Sequence, residues 1–172
     1  MKTLVLMRHA KSAWDDPELP DHDRPLAPRG RKTAPRMGAW LQSAGYAPEL
    51  VLCSAAKRAR DTLTLVLPFL PKGVKIDHVP ELYGAVPQEI LNIVARAPQS
   101  AATLLVIGHN PGLGSFASWL AGSGDAGLRE KMDKKFPTGA IAVLRFDVDR
   151  WSEIRGEDGT LAAFMRARDC DD

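Results

Sequence analysis

The sequence predicts an α/β protein with three layers, in which helices cover both faces of a mostly parallel central sheet. Short apolar runs without a helical period alternate with segments whose apolar residues recur every three or four positions. Strands that alternate with such helices indicate βαβ units, and parallel sheets built from these units are buried on both faces. Near the C-terminus, two apolar runs joined by a polar turn predict an antiparallel strand pair.

Four short apolar runs predict the parallel strands. Each run is bounded by proline, glycine or polar residues, as expected for a buried strand. Between and after them, three segments place their apolar residues on one helical face, and one of these segments begins with Pro87, which is tolerated in a first turn. The predicted strands are residues 3–7, 49–53, 74–79 and 103–107, and the predicted helices are residues 55–67, 87–97 and 113–121.

The first long helix has a less regular pattern. Residues 37–44 carry an apolar face, and Gly45 follows as a C-terminal stop. Pro35 lacks the N–H group that a helix interior requires. A helix begun at Pro28 is therefore expected either to kink at Pro35 or to give way to one that starts near Ala34.

The last third of the chain changes character. Residues 139–146 and 160–166 predict two strands joined by the polar turn at 157–159, so the sheet is expected to end in an antiparallel pair. Residues 125–135 are charged and flanked by glycine, and they predict a surface helix or loop.

Length and composition indicate a single domain that spans residues 1–172. The 23 basic and 21 acidic residues give a net charge of +2, which is too small to favour a nucleic-acid partner. Cys53 and Cys170 form neither a disulfide framework nor a metal cluster. The apolar run at residues 1–7 is too short for a signal peptide, and no stretch approaches the roughly 20 residues that span a bilayer. A cytoplasmic protein without a membrane partner is expected.

Candidate functional residues follow successive predicted strands. Ligands of open parallel sheets bind outside the carboxyl ends of the strands. Arg8 and His9 follow the first strand, Arg58 lies just beyond the second, Glu81 follows the third and His109 follows the fourth. Arginine and histidine side chains at one edge predict an anion site, and the two-donor guanidinium group suits phosphate.

Each of these residues also has a purely structural interpretation. A histidine at a strand end is more often structural than catalytic, Arg58 lies in a basic run that would usually be solvated, and Glu81 fits a loop carboxylate. Residues 21–23 are interpreted as a polar loop. Predicted helix N-termini at Ser54 and Asn110 would add backbone N–H donors at the same edge. The combined placement therefore favours a site more than any single residue does.

Spacing excludes several competing chemistries. A cysteine phosphatase loop needs arginine six positions after its cysteine, but Ala59 stands six positions after Cys53. The phosphate-binding motif G-x-x-x-x-G-K-[ST], the zinc motif H-E-x-x-H and the hydrolase motif G-x-S-x-G do not occur. Carboxylates for a two-metal site are not found near His109 in the sequence. The sequence therefore predicts a site without a metal or a cofactor.

Four ordered motifs resemble the histidine phosphatase superfamily, also called the phosphoglycerate mutase-like family, and are most similar to its small SixA-type branch of phosphohistidine phosphatases. The resemblance covers residues 1–147. Arg8-His9-Ala10 stands where the family has Arg-His-Gly, and residues 24–30 resemble R-P-L-x-x-x-G. Residues 54–62 match S-P-x-x-R-A-x-x-T except at Ala55. Residues 106–113 resemble V-G-H-N-P-G-L, and residues 136–140 are also typical of the branch.

The resemblance implies a role for each catalytic candidate. His9 would be the nucleophile that accepts the phosphoryl group, and Arg8, Arg58 and His109 would bind it. Ser12 would add a hydroxyl contact to the substrate. A neutral imidazole is a competent nucleophile near pH 7, and fixed cations can stabilise the transferring group without a metal ion.

Two positions depart from the family pattern or are less specific. Ala10 replaces the signature glycine and would be crowded if the position required an unusual φ, but alanine is the smallest alternative. Glu81 lies roughly where larger family members carry an acid that protonates the leaving group, and it is the candidate for that role here.

The predicted function is that of a phosphatase acting on protein phosphohistidine or on another small phosphorylated compound. One alternative is a phosphatase or mutase of phosphorylated metabolites, although those relatives usually carry longer insertions over the substrate. Another is a phospho-ligand binding module without turnover. The sequence favours an enzyme, because Arg8, His9, Arg58 and His109 are all present.

Overall fold

A computed structural model describes residues 1–170, so the last two residues of the predicted domain lie outside the described part. Within this range the chain forms seven strands and five α-helices. The strands are β1 Lys2–Arg8, β2 Leu50–Ser54, β3 Lys75–Val79, β4 Thr103–Gly108, β5 Ala121–Gly124, β6 Ile141–Phe146 and β7 Gly159–Met165. The helices are α1 Pro28–Ser43, α2 Lys57–Val66, α3 Pro87–Ala95, α4 Gly112–Leu120 and α5 Ala126–Lys134.

The seven strands form one mixed sheet in the order β3-β2-β4-β1-β6-β7-β5. Strands β3, β2, β4 and β1 are parallel to one another, whereas β6 is antiparallel to both β1 and β7. The predicted parallel sheet and the antiparallel C-terminal pair are both confirmed. This topology places the carboxyl ends of β1, β2, β4 and β7 at one edge of the sheet.

Two apolar clusters lie on opposite faces of the sheet, and strand alternation produces them. In β1, Leu4 and Leu6 join the cluster under α3 and α4, whereas Val5 and Met7 join the cluster under α1 and α2. All four side chains are fully buried. Successive residues of a strand point to opposite faces, so residues 4–7 of β1, which are buried on both faces, must all be apolar. The predicted three-layer α/β/α architecture is confirmed.

Helix α1 continues through Pro35, so the alternative start near Ala34 is wrong. The helix begins at Pro28, where a proline at the first position loses no hydrogen bond. Pro35 removes one internal hydrogen bond, at a cost of about 3 kcal/mol. Buried residues on both sides of Pro35, among them Met37 and Leu41, pack against the sheet and offset that cost.

Several boundaries differ from the prediction. Helix α4 ends at Leu120, and Ala121 begins β5, a short parallel strand beside β7 that the sequence did not predict. Helix α2 begins at Lys57 and α4 at Gly112, two or three residues after the predicted N-termini at Ser54 and Asn110. The charged segment near the C-terminus forms the helix α5. Within residues 1–170, none of the helices is long and apolar enough to cross a membrane.

Candidate active site

The carboxyl edge of β1, β2 and β4 brings four of the predicted residues together. Arg8 ends β1 and His9 follows it, Arg58 lies in the first turn of α2, and His109 follows β4. The ring centroids of His9 and His109 are 5.1 Å apart, and Arg58 Nε lies 3.3 Å from His9 Nε2. His9, Arg58 and His109 are each at most 9% exposed. The predicted convergence of these residues is present in the structure.

The hydrogen bonds of His9 assign its tautomer. His9 Nδ1 lies 2.7 Å from the carbonyl oxygen of Ala10, which can only accept, so Nδ1 carries the hydrogen. His9 Nε2 faces Arg58 Nε, which can only donate, so Nε2 carries a lone pair. Two independent contacts thus direct the same nitrogen, Nε2, toward the centre of the site.

The environment keeps His9 neutral at physiological pH. Burial, followed by the nearby positive charges of Arg58 and Arg8, lowers its pKa from the ordinary value of 6.5 to about 4. The hydrogen bond to Ala10 and the carboxylate of Asp21 act in the opposite direction. A neutral imidazole whose Nε2 carries a lone pair, here accepting from Arg58 Nε, can act as a nucleophile when a phosphoryl group replaces that partner.

The guanidinium group of Arg58 is held by Asp21, which the sequence analysis assigned to a polar loop. Arg58 Nη2 donates to Asp21 Oδ2 at 3.0 Å, and Arg58 Nη1 donates to the Asp21 carbonyl at 2.7 Å. The hydroxyl of Tyr83 also donates to Asp21 Oδ2. This hydrogen bond is the largest cause that lowers the pKa of Asp21, and Arg58 lowers it as well, so Asp21 is a carboxylate at neutral pH.

Asp21 and Tyr83 are the residues that sequence reasoning missed. Both lie in loops, Asp21 in a single turn of 3-10 helix and Tyr83 directly after another, so neither belongs to a periodic pattern. Tyr83 packs edge-on against His109 with ring centroids 5.4 Å apart. The available signal was positional, because Asp21 precedes the Arg24-Pro25-Leu26 motif and Tyr83 follows Glu81 beyond the third strand.

His109 is fixed by Ser54, the last residue of β2. His109 Nε2 lies 2.7 Å from Ser54 Oγ, which already accepts a hydrogen bond from the Ala56 amide. Either atom of this pair can be the donor; where the Ser54 hydroxyl donates to Nε2, the hydrogen of His109 lies on Nδ1, which is buried without a partner among the described residues. Burial, followed by the charges of His9 and Arg58, lowers the pKa of His109 from 6.5 to about 3. His109 is thus neutral, and in this tautomer its Nδ1 is a hydrogen-bond donor.

Two buried nitrogen atoms of the site lack a hydrogen-bond partner within residues 1–170. They are His109 Nδ1 and Arg8 Nε. An unpaired buried donor costs about 1–3 kcal/mol, so such atoms are rare outside functional sites. Burial, followed by the charge of Arg58, lowers the pKa of Arg8, but a guanidinium group stays charged at neutral pH. An oxyanion would satisfy these donors.

The segment between α5 and β6 braces the Arg8–His9 loop. The carbonyl of Phe136 accepts hydrogen bonds from Arg8 Nη1 at 3.1 Å and from Asn110 Nδ2 at 2.8 Å. The amide of Gly139 donates to the carbonyls of Arg8 and His9. The Phe136–Gly139 segment therefore links the loops after β1 and β4 and fixes the direction of Arg8.

Thr62 connects α2 to the loop that bears the predicted nucleophile. Its Oγ1 donates to the Arg58 carbonyl at 2.8 Å and accepts from the Ala10 amide at 3.0 Å. Ala10 is fully buried and does not have a positive φ, since Glu157 is the only non-glycine residue with positive φ among those described. The departure from the family's glycine at this position therefore creates no backbone strain.

The loop that carries Asp21 is held by the Arg24-Pro25-Leu26 motif. The Arg24 guanidinium stacks on the Trp14 ring, 3.7 Å from its centroid, and donates to the Ala13 carbonyl. Arg24 Nε also lies 3.4 Å from Asp21 Oδ1. Gly30 lets α1 approach this loop, because a Cβ atom there would lie 2.2 Å from the Lys11 carbonyl oxygen.

Two predicted site residues do not join the cluster. Glu81 is exposed in the 3-10 turn Pro80–Leu82, and it forms no hydrogen bond or ion pair with any described residue. Ser12 is buried, its backbone pairs with Leu26, and its hydroxyl has no hydrogen bond in residues 1–170. The acid role of Glu81 and the substrate contact of Ser12 stay predictions.

Fold and site together define a class of protein that can handle a phosphoryl group through a histidine. Two arginines and two neutral histidines meet at the carboxyl edge of an α/β sheet, and one histidine presents a lone pair. A cavity of about 590 Å³ opens beside Arg8, between Pro111 and Phe136, although His9, Arg58 and His109 do not line it.

Comparisons with known proteins agree with this class. Residues 4–84 match the model of the histidine phosphatase superfamily, branch 1. An uncharacterized protein of Mycobacterium tuberculosis is 42% identical over 160 residues, which cover 92% of this chain and 98% of that protein.

Two solved structures resemble the chain over nearly its whole length. A Nakamurella multipartitia protein assigned as the phosphohistidine phosphatase SixA is 32% identical, with a TM-score of 0.84, over 96% of this chain and 95% of that one. The protein histidine phosphatase SixA in complex with tungstate is 26% identical, with a TM-score of 0.74, over 98% and 99% of the two chains. The chain belongs to the histidine phosphatase superfamily and, within it, to the SixA-type branch.

Proposed function

We propose that this chain is a metal-independent phosphatase that forms a covalent phosphoenzyme on His9 and acts on protein phosphohistidine. The observation that carries the proposal is the state of His9, which is neutral and buried and presents Nε2 among the cations of Arg8 and Arg58. A nucleophile, the charge that stabilises phosphoryl transfer and a neutral donor on His109 thus occupy one site.

The proposed reaction has two displacement steps. In the first, His9 Nε2 attacks phosphorus, an N–P bond forms, and the bond to the leaving group breaks. The leaving imidazole nitrogen of a phosphohistidine substrate takes up a proton from solvent. In the second, water attacks phospho-His9, the N–P bond breaks, inorganic phosphate departs, and His9 returns to its neutral state.

Fixed charges explain how this reaction can proceed without a metal ion. The transferring phosphoryl group spreads negative charge over three oxygens, and preorganised cations stabilise that charge. Arg8 and Arg58 supply two positive charges, and His109 Nδ1 supplies a neutral hydrogen-bond donor. The Arg58 fork is held by Asp21 in this structure, so a substrate phosphate must share Arg58 with this carboxylate or displace it.

Two considerations support phosphohistidine as the substrate class. The SixA-type relatives resemble the chain over more than nine tenths of its length. An imidazole leaving group has a conjugate acid of pKa about 6.5, so it needs much less protonation than an alkoxide. A site in which the candidate acid Glu81 stands apart from the nucleophile suits such a leaving group.

The test compares initial rates on free phosphohistidine, a phosphohistidine-bearing protein and a panel of alkyl phosphates, each with and without EDTA. We expect the highest kcat/KM on phosphohistidine substrates, full activity after chelation, and inhibition by vanadate. A higher kcat/KM on an alkyl phosphate would favour a phosphatase or mutase of metabolites instead. Binding without turnover on every substrate would indicate a phospho-ligand module, and activity that is lost with EDTA and restored by a divalent ion would overturn metal independence.

A further inference from the structure

A second cluster of cations lies at the same sheet edge as the candidate active site, and the proposed mechanism does not use it. It lines an open groove of about 330 Å³ between α1 and the segments that precede β6 and follow β7. The other lining residues are Thr33, Pro137, Thr138 and Ala167, so no carboxylate lines it. We call this feature the basic groove, and its cations are Lys11, Arg29, Lys135, Arg166 and Arg168.

The charge of the basic groove is concentrated and largely uncompensated. The whole chain has only two more basic than acidic residues, whereas five basic residues line this one groove. Arg166 forms an ion pair with Asp169 at 2.7 Å, which offsets part of the charge. Lys11, Arg29, Lys135 and Arg168 are exposed, and their side chains have no hydrogen bond or ion pair with the described residues.

The sheet topology sets the distance between the groove and His9. Arg166 follows β7, His9 follows β1, and only β6 lies between these two strands. Strands lie about 4.8 Å apart, so the two sites are separated by roughly 10 Å along the edge. Lys11 comes two residues after His9, and Lys135 also lines the cavity beside Arg8, so the groove continues toward the active site.

We propose that the basic groove docks an acidic segment of the protein substrate whose phosphohistidine enters the active site. The inference rests on the proposed function and names the kind of partner that it fits. The five cations come from four separate stretches of chain and are spread along the groove, which matches several carboxylates along a polypeptide. Complementary charge of this kind favours encounter and orientation, and it is weakened by salt.

The distance between the basic groove and His9 determines the design of the peptide substrate. An extended chain advances about 3.3 Å per residue, so a run of glutamates should begin about three residues from the phosphohistidine. One synthetic phosphohistidine peptide carries this run, and a matched peptide carries glutamines instead. Free phosphohistidine, which cannot reach the groove, reports the chemistry of the active site alone.

The test measures kcat/KM for these three substrates at low and high salt. We expect the wild-type protein to prefer the glutamate peptide by at least about tenfold at low salt, and the preference should shrink as salt is added. The combined variant Arg29→Glu and Arg168→Glu should lose the preference and keep its rate on free phosphohistidine. The matched control, Lys72→Glu with Lys75→Glu, makes the same charge change at the opposite sheet edge and should keep the preference.

The outcomes separate this inference from the proposed function. Equal rates on the two peptides, with free phosphohistidine still hydrolysed, would overturn the docking inference alone. The wild-type protein could instead prefer a small bis-phosphorylated substrate to the glutamate peptide and lose that preference in the groove variant. This result would assign the groove to a second phosphate and would also overturn the docking inference. No hydrolysis of any phosphohistidine substrate would overturn the proposed function and, with it, the inference that rests on it.

Discussion

The active site and the basic groove place cations at the same edge of one sheet under opposite physical conditions. Arg58 in the site is 9% exposed, touches His9 and is held by Asp21. Arg29 and Arg168 in the groove are exposed and unpaired within the described residues. Charges interact strongly where water is excluded and weakly where water and salt screen them.

This difference leads to distinct expectations for the two regions. Substitutions in the buried site should change the chemical step and should respond little to salt. Substitutions in the groove should change the encounter with an acidic partner, mainly through KM, and should depend strongly on salt.

The largest effect is expected for His9→Ala, which removes the proposed nucleophile. We expect kcat to fall by at least about 10⁴-fold, the scale seen when a covalent nucleophile is removed. Rapid denaturation during turnover should trap acid-labile phosphate on the wild type and on His78→Ala, a control at an exposed histidine of β3. The His9→Ala variant should still bind the glutamate peptide in a salt-sensitive manner. Full trapping in His9→Ala would contradict the assignment.

The second prediction concerns acid stability. The pKa values of His9 and His109 in the folded protein are about 4 and 3. In the unfolded chain the pKa of a histidine is near 6.5, so the unfolded chain binds more protons than the folded protein between about pH 4 and pH 6.5. The free energy of unfolding must therefore fall as pH drops below about 6.5. At pH 5 the loss relative to pH 8 should be roughly 2 kcal/mol for each histidine.

Urea unfolding at the two pH values measures this effect. His9→Gln should remove about half of the acid-dependent loss, because one of the two buried histidines no longer titrates. The variant Arg29→Gln with Arg168→Gln should keep the full loss, since the groove cations do not titrate in this range. Identical pH dependence in His9→Gln and the wild type would show that His9 is not buried in its neutral form.

Sequence patterns predicted most of the fold because the sheet is built from β-strands with a clear apolar signature. The four parallel strands lie within two residues of their predicted bounds, and three of them, β1, β2 and β4, are buried strands that are apolar on both faces, whereas β3 is an exposed edge strand. Strand β5 was missed because Ala-Gly-Ser-Gly carries no apolar pattern, and it forms only by pairing with β7. Helix α1 passes through Pro35 because tertiary packing overrides local preference.

The sequence predicted the site residues that directly follow strands, but it did not predict the residues that long loops bring into the site. Arg8, His9 and His109 lie directly at strand ends, so the topology alone brings them together. Asp21 reaches Arg58 across 37 residues of sequence, through a loop whose position depends on Arg24 stacking on Trp14. Contacts of this kind leave no periodic signal in the sequence.

The third prediction tests the geometry of Arg58. Lysine keeps the positive charge but loses the planar arrangement that lets Arg58 contact His9 and Asp21 at the same time. We expect Arg58→Lys to lower kcat/KM by at least about tenfold, or roughly 1.4 kcal/mol, at both low and high salt. Arg60→Lys, on the same helix but exposed, is the matched control. Unchanged kinetics in Arg58→Lys would remove Arg58 from the proposed mechanism.

The fourth prediction tests whether Asp21 competes with the phosphate. Asp21 places a carboxylate on the Arg58 fork, where a phosphate dianion would be repelled. Asp21→Asn should therefore tighten inhibition by inorganic phosphate about threefold, which is the scale of a partly exposed charge pair. Asp23→Asn makes the same charge change without contact to Arg58 and should have no effect. Weaker phosphate binding in Asp21→Asn would show that the carboxylate positions Arg58 for the substrate instead.

The smallest effect is expected for Glu81→Gln on phosphohistidine substrates. Glu81 is exposed and forms no hydrogen bond or ion pair with the described residues, and an imidazole leaving group needs little protonation. We expect kcat/KM on free phosphohistidine to stay within about twofold of the wild type. Alkyl phosphates expel a poor alkoxide, so their slower hydrolysis should fall by about tenfold if Glu81 donates the proton.

Glu130→Gln, an exposed glutamate of α5, is the control and should leave both rates unchanged. Equal losses on both substrate classes in Glu81→Gln would mean that the carboxylate acts on a step other than leaving-group departure, such as the hydrolysis of phospho-His9. No loss on either class would remove Glu81 from the chemistry. The site would then rely on the substrate's own leaving group, which is good at neutral pH for a phosphohistidine and poor for an alkyl phosphate.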